Sequence, residues 1–256
     1  MDIYNIKKKL KQGKYVAGPF VRMAEQAILE MIGYAGFDFA IIDLEHGPLE
    51  VYQAENLVRT ARMVGVSPVI RVRENSETMI LRALDTGAAG VQIPQVNSKE
   101  MAIKSVEASY FYPKGNRGVC RFTHNAEYSN IPGDQYFKKA NENTLVVLQV
   151  EGKGGVENID AILDTPDIDV LFLGPYDLSQ ALNLTGQVTH PDVLKTIEII
   201  TKKARDKGIS VGSFADTPEN IKRQKDMGIQ YLSTYIDTGI FYESSRKLVE
   251  EIKALF

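Results

Sequence analysis

The stretch Leu145-Val146-Val147-Leu148-Gln149-Val150-Glu151, followed after a helical segment by Asp169-Val170-Leu171-Phe172-Leu173-Gly174-Pro175-Tyr176-Asp177, decides the fold. Each half is a short apolar run that stops at polar or glycine-containing sequence. Continuous apolar runs, as opposed to strict alternation, mark strands buried on both faces, the condition of a parallel sheet. Residues 156–163 between them carry helical spacing, so the unit is strand–helix–strand.

The same unit recurs in both directions along the chain. Strands are expected at 15–18, 39–43, 68–72, 90–94, 145–150, 169–173, 210–214 and 231–235. Helical segments lie at 49–64, 77–86, 99–109, 156–163, 192–207 and 218–227, with a closing helix at 240–256. Ser76 and Ser98 stand where helix caps belong, and Gly65, Gly87, Gly208 and Gly228 where helices stop. Strands in unbroken βα order, without a linker-like shift in composition, predict one (β/α)8 barrel over residues 1–256. A doubly wound open sheet is the rival topology. Two connections exceed ordinary loop length, 111–144 and 174–191, and both are expected to wall an active site.

Composition excludes several functional classes. The 256 residues are 44% hydrophobic and 25% charged, ordinary for a globular chain with a large core. Lys and Arg total 30 against 33 Asp and Glu, and the resulting net charge of −3 gives no drive toward nucleic acid or an anionic membrane. A single cysteine, Cys120, rules out an intrachain disulfide and Cys-clustered zinc. No apolar run reaches the roughly 20 residues of a bilayer span. The N-terminal stretch 1–14 is polar and amphipathic without a signal peptide's apolar centre, so a cytoplasmic protein is expected.

Barrel chemistry collects where strands end. Those ends read Asp43-Leu44-Glu45-His46, Arg71, Pro94-Gln95, Gln149 with Glu151, and Gly174-Pro175-Tyr176-Asp177. Glu151 and Asp177 leave adjacent strands about 4.8 Å apart, so their carboxylates can reach one point. Two hard carboxylates without Cys or His beside them suit Mg²⁺ or Mn²⁺; a solvated loop acid or a helix cap is the plainer role. Arg71 can grip a substrate carboxylate and oppose enolate charge, or pair with an acid across the barrel mouth. His46, one of three histidines, can move a proton near neutral pH or serve only as a hydrogen-bonded loop residue. His124 and His190 lie in polar stretches and are expected to be exposed.

Other motifs fail. There is no G-x-x-x-x-G-K-[ST], and Glu157 occupies the last glycine's place in a G-x-G-x-x-G reading of 152–157. The turns after the last two strands carry no glycine-rich phosphate cradle.

The segments Gly36-Phe37-Asp38-Phe39, Asp43-Leu44-Glu45-His46-Gly47-Pro48, Pro68-Val69-Ile70-Arg71 and Leu84-Asp85-Thr86-Gly87-Ala88 resemble one family, as do Pro113-Lys114-Gly115-Asn116-Arg117-Gly118-Val119, Gln149-Val150-Glu151 and Gly174-Pro175-Tyr176-Asp177-Leu178-Ser179. This is the HpcH/HpaI family of metal-dependent class II pyruvate aldolases, and the likeness covers nearly the whole chain. The resemblance implies reversible retro-aldol cleavage of a 4-hydroxy-2-oxo acid to pyruvate and an aldehyde. It implies a divalent cation, Mg²⁺ or Mn²⁺ with Co²⁺ a third candidate, held by Glu151 and Asp177 with Gln149 beside them. Arg71 would bind and polarise the pyruvyl group, His46 would act as base, and Asp85 would work with it. Gly174, Pro175 and the backbone after Arg117 would line the pyruvate site. The resemblance also implies a homohexamer with the last helix, 240–256, exchanged between neighbours.

Three stretches depart from the family pattern: Tyr176 in place of a small or polar residue, Gly152-Lys153-Gly154 after Glu151, and Cys120-Arg121-Phe122. They bear on the aldehyde partner more than on the pyruvate end. The rival functions are an acyl-CoA lyase of the same superfamily, a Schiff-base aldolase using Lys153, and a non-catalytic 2-oxo acid binding protein. The expected partner is a small 2-oxo acid, with neither nucleic acid nor membrane.

Overall fold

The computed structural model describes residues 4–256. Eight parallel strands pair in chain order: β1 Val16–Val21, β2 Phe39–Asp43, β3 Ser67–Arg71, β4 Gly90–Ile93, β5 Leu145–Val150, β6 Val170–Leu173, β7 Ser210–Ala215 and β8 Tyr231–Ile236. β8 pairs back onto β1 through Val16 and Tyr231, which closes the barrel and excludes the open sheet.

Side chains of successive strand residues point to opposite faces, so each strand feeds two shells. Phe39, Ile41, Val69, Val147, Val170 and Phe172 belong to the cluster inside the barrel. Their neighbours Ala40, Ile42, Ile70, Val146, Leu148 and Leu171 pack outward against the helices. Helix Val51–Val64 shows the complementary pattern, burying Ala54, Leu57, Val58 and Ala61 at helical spacing. Gly65 and Gly87 take positive φ of 78° and 89° at helix ends, the conformation glycine adopts without a steric cost. Ser98 Oγ accepts from Met101 N at 3.3 Å as a cap, whereas Ser76 occupies the cap position without a side-chain bond.

The N-terminal stretch, polar on paper, forms helix Asn5–Lys11, whose Ile6 and Leu10 enter the interior cluster; residues 1–3 lie outside the described region. Lys7 donates to Thr144 O at 2.6 Å and to Asp169 Oδ2 at 2.8 Å, which anchors that helix.

β1 runs to Val21 rather than stopping at Gly18. Gly18-Pro19 reads as a breaker, yet the ladder with β8 shifts register between Gly18 and Phe20, and such an irregularity accommodates proline within a strand. The segment 111–144 is also corrected. It follows helix Lys99–Ser109 and leads into β5, so it caps the N-terminal face of the barrel, opposite the site, and contains helix Gly133–Asn143 around Phe111 and Tyr136. The closing helix is Asp237–Lys253, starting directly at the end of β8. No helix among the described residues is long and apolar enough to cross a membrane.

Candidate active site

Inward parity carried to the C-terminal ends of the strands brings polar residues to the barrel mouth. Asp43 follows Phe39 and Ile41, Arg71 follows Ser67 and Val69, and Gln149 and then Glu151 follow Leu145 and Val147. A cavity of about 230 Å³ opens there, lined by His46, Arg71, Gln149, Glu151, Gly174, Pro175, Tyr176 and Asp177. Eight of the nine expected site residues thus meet at one place. The volume falls below the roughly 300 Å³ typical of drug-sized ligand sites and suits a small metabolite.

Asp43 organises the positive side. It stands in register with Arg71 across β2 and β3 and accepts from Arg71 Nε and Nη2, both at 2.8 Å. Arg22 Nε donates to the same carboxylate at 2.9 Å, and the backbone N–H groups of Glu45 and His46 reach it at 3.1 and 3.3 Å. Burial alone would raise the Asp43 carboxyl, but the hydrogen bonds and charges of Arg71 and Arg22 hold it below the ordinary range. Arg71 lies over the Phe20 ring at 4.6 Å, so the guanidinium is fixed on its face as well as its edge. Its remaining nitrogen, Nη1, faces Glu45 Oε2 at 2.9 Å, an ion pair without hydrogen-bond alignment. Glu45 Oε2 also lies 3.9 Å from His46 Nε2, and the His46 side chain is largely exposed.

A polar relay organises the negative side. Gln92 Nε2 donates to Gln149 Oε1 at 2.5 Å, and Gln149 Nε2 donates to Glu151 Oε2 at 2.5 Å. Gln95, held at φ 58°, donates its backbone N–H to Glu151 Oε1 at 3.2 Å. Positive φ is uncommon for a residue that carries a side chain and costs backbone energy. Glu151 is 1% exposed and forms no ion pair among the described residues. Burial first, and then the charges of Asp177 and Glu45, push its carboxyl up to about 7. A Cβ at Gly174 would stand 2.7 Å from Glu151 Oε2, so glycine there gives the carboxylate its space.

The HpcH/HpaI aldolase/citrate lyase family model matches residues 17–242. The chain belongs to this family. It is 34% identical over 237 residues to a 5-keto-4-deoxy-D-glucarate aldolase of Salmonella paratyphi C (strain RKS4594), covering 92% of this chain and 91% of the relative. The solved HpcH/HpaI aldolase of Desulfitobacterium hafniense DCB-2 superposes with a TM-score of 0.92 at 30% identity, covering 97% of this chain and 96% of that one. A solved citrate synthase superposes at 0.88 with 26% identity, covering 97% of each chain. The protein is a carbon–carbon lyase of the aldolase type within the HpcH/HpaI family.

Four expectations need correction against this geometry, namely the placements of Asp85 and of the stretch after Arg117, the free Tyr176 hydroxyl, and the exposure of His124 and His190, while the Schiff-base rival at Lys153 gains no support. Asp85 ends helix Glu77–Asp85, which runs back from β3, so it lies at the N-terminal face and outside the cavity. There it accepts from the buried Arg117 Nη2 at 2.6 Å, and the stretch after Arg117 lies at that face too, instead of lining the site within one chain. Lys153 is exposed at the start of helix Lys153–Glu157 and pairs with Glu157 at 3.8 Å, a poor setting for an imine-forming amine. The Tyr176 hydroxyl donates to Asp216 Oδ2 at 2.9 Å instead of waiting for substrate, although its ring does wall the cavity. His124 and His190 are half-buried: His124 Nδ1 lies 2.5 Å from Thr86 O, and His190 caps helix Pro191–Asp206 by accepting from Asp192 N at 3.2 Å.

Arg22 is the charged lining residue that sequence reading missed, because β1 was expected to end before it; Phe20, Phe172, Phe214 and Ile236 complete the wall. Gln92 and the roles of Asp43 and Glu45 depend on register across strands, which one chain's spacing does not display.

Proposed function

We propose that the enzyme cleaves a 4-hydroxy-2-oxo acid reversibly into pyruvate and an aldehyde with a divalent cation held by Glu151 and Asp177. The observation that carries this reading is Glu151: a buried carboxylate with no ion-pair partner, close to two further anions and opposite a clamped arginine. Such a cluster calls for a cation. Among the described residues no three His, Cys, Asp or Glu side chains gather as a metal cage. Two carboxylates completed by water and substrate oxygens suit a hard ion such as Mg²⁺, Mn²⁺ or Co²⁺. When bound, that ion supplies Lewis-acid stabilisation of enolate charge.

The chain's own residues do the rest. Asp43 and Phe20 hold the Arg71 guanidinium, and its Nη1, paired with Glu45 without hydrogen-bond alignment, keeps its N–H groups available to a pyruvyl oxygen. His46 removes the C4 hydroxyl proton; the C3–C4 bond breaks, its electrons pass to the pyruvyl fragment as an enolate, and protonation at C3 releases pyruvate. Gln149 fixes Glu151, while Gly174 and Pro175 shape the wall beside it. Asp85 joins His46 only if a second copy brings it there, since the two lie at opposite ends of one barrel. The exposed Ile240, Phe241, Leu248 and Val249 on helix Asp237–Lys253 support assembly into the hexamer the resemblance implies.

The test is pyruvate release. EDTA should abolish it and Mg²⁺, Mn²⁺ or Co²⁺ should restore it, while borohydride with pyruvate should leave the protein mass unchanged. A reduced adduct at any lysine would remove the metal-dependent reading.

A further inference from the structure

We propose that Gln92 is a positioning residue for this site. Through Gln149 it directs the Glu151 carboxylate toward the cation and keeps an N–H donor, in place of a carbonyl oxygen, on the cavity wall. The inference rests on the metal-dependent reading above and names a residue that this reading does not use.

A polar amide at an inward position of β4 needs a reason. Gln92 is in register with Arg71 on one side and with Val147 on the other, which gives it the inward parity of both. Its sequence neighbours Val91 and Ile93 pack outward against the helices. The side chain is fully buried and does not itself line the cavity. Its Oε1 is buried without a hydrogen-bond partner among the described residues. A buried acceptor left unpaired destabilises a fold, and apolar side chains at 92 and 149 together would leave none. An amide pair that costs stability where an apolar pair would not has a role outside packing.

That role follows from counting donors and acceptors. The ionised form of Glu151 that holds a cation only accepts, so the Gln149 amide serves it only by turning Nε2 toward it. Gln149 Nε2 lies 2.5 Å from Glu151 Oε2. The same turn carries Gln149 Oε1 to the other side, where a donor has to meet it, and Gln92 Nε2 does so at 2.5 Å. The unmatched acceptor of this chain therefore falls on Gln92, off the cavity lining, and not on Gln149, which lines it. Gln149 Nε2 retains a second N–H without a partner among the described residues, a donor for the oxygens of a 2-oxo acid. Without Gln92 the Gln149 amide is free to turn over. Its Oε1 would then face both Glu151 and the substrate, and acceptors set against acceptors repel.

Gln92→Met tests this, because methionine keeps the length of the side chain while removing its donor. The thermal midpoint should stay close to the parent's, since one unpaired acceptor, Gln149 Oε1, replaces another, Gln92 Oε1. Calorimetric Mn²⁺ affinity should fall by at least about tenfold, the scale for groups that orient metal ligands. KM for pyruvate in methyl-proton exchange should rise with it. A double-mutant cycle with Gln149→Met separates positioning from general damage. If Gln92 acts through Gln149, the double variant should bind Mn²⁺ as Gln149→Met alone does. Parental Mn²⁺ affinity in Gln92→Met, or losses that multiply in the double variant, overturns the assignment whatever the thermal midpoints are. Absence of divalent-ion binding by the unmodified enzyme would instead remove the metal-dependent reading, and this inference with it.

Discussion

Arg71 and Asp43 face each other in register across β2 and β3 and are joined by two parallel 2.8 Å hydrogen bonds. This makes the orientation of the arginine a property of the barrel ladder instead of a flexible loop. Both side chains are nearly inaccessible, at 6% and 0% exposure. Removing one partner of such a buried pair leaves an uncompensated charge and costs about 3–5 kcal/mol. Asp43→Ala should show that loss in denaturant titration, together with a fall of at least about 100-fold in pyruvate proton exchange. Because the native carboxyl is held below its ordinary range, its contribution is complete above that range and disappears as pH falls through the lowered value. Asp43→Ala should therefore flatten the acid limb of the stability profile. A variant with parental exchange rates would separate the clamp from catalysis.

Glu151 gives the opposite pH signature. Its carboxyl rises from 4.5 to about 7 in the cation-free protein, so a proton competes with the metal below that value. Affinity for Mn²⁺ should fall by up to about tenfold per pH unit below 7 and level off above it. In the metal-free protein the same raised value favours the folded state below the unfolded pKa, a preference lost as pH rises toward 7. Calorimetric Mn²⁺ titrations between pH 5.5 and 8.5 check the first statement. A pH-independent affinity would remove Glu151 from the ligand set.

Gly174 tests the same site sterically. Its φ is −80°, so a side chain meets no backbone penalty there, yet a Cβ would stand 2.7 Å from Glu151 Oε2. Gly174→Ala should fold and pack its barrel normally while binding Mn²⁺ at least about tenfold more weakly. Circular dichroism and calorimetry on one preparation separate the two effects. Unchanged affinity would mean that the carboxylate moves aside without consequence.

The two ends of the barrel were unequally legible in the sequence. Apolar runs show burial on both faces, so strands β2 and β5 could be placed to the residue, and strand ends then located His46, Arg71, Glu151 and Asp177. Pairs made by register, such as Asp43–Arg71 and Gln92–Gln149, join residues far apart in sequence and leave no local pattern. Arg22 escaped because Gly18-Pro19 imitates a strand terminus. Asp85 was misplaced for a different reason: a motif identifies a residue, whereas helix direction fixes the barrel end at which it stands.

That displaced residue makes its own prediction. Arg117 is buried, lies 4.7 Å from the Phe111 ring, and has Asp85 as its one carboxylate partner among the described residues. Asp85→Ala should destabilise the N-terminal face by about 3 kcal/mol, because a buried guanidinium loses its counter-charge. Denaturant midpoints measure this. Light scattering with kinetics on the same samples shows whether activity lost beyond the unfolded fraction tracks assembly, the result required if Asp85 serves His46 of a neighbouring copy.

Tyr176 stands where the family pattern breaks, and its contacts now separate two roles. The ring walls the cavity near Phe214, at a centroid distance of 6.3 Å, while the hydroxyl is held by Asp216 Oδ2 at 2.9 Å. The Asp216 bond joins the short helix Pro175–Ala181 after β6 to the loop after β7, so the phenol acts as a latch across the mouth. A partly exposed hydrogen bond of this kind contributes about 1 kcal/mol. Tyr176→Phe should therefore leave turnover within about threefold of the parent, and Asp216→Asn should resemble it, since both loosen one latch. Tyr176→Ala removes the ring as well and should admit bulkier aldehydes in the condensation direction. Parallel acceptor profiles of the three variants decide the matter. A loss of 10-fold or more in Tyr176→Phe, about 1.4 kcal/mol or more, with Asp216→Asn unaffected would show that the hydroxyl leaves Asp216 to bind substrate.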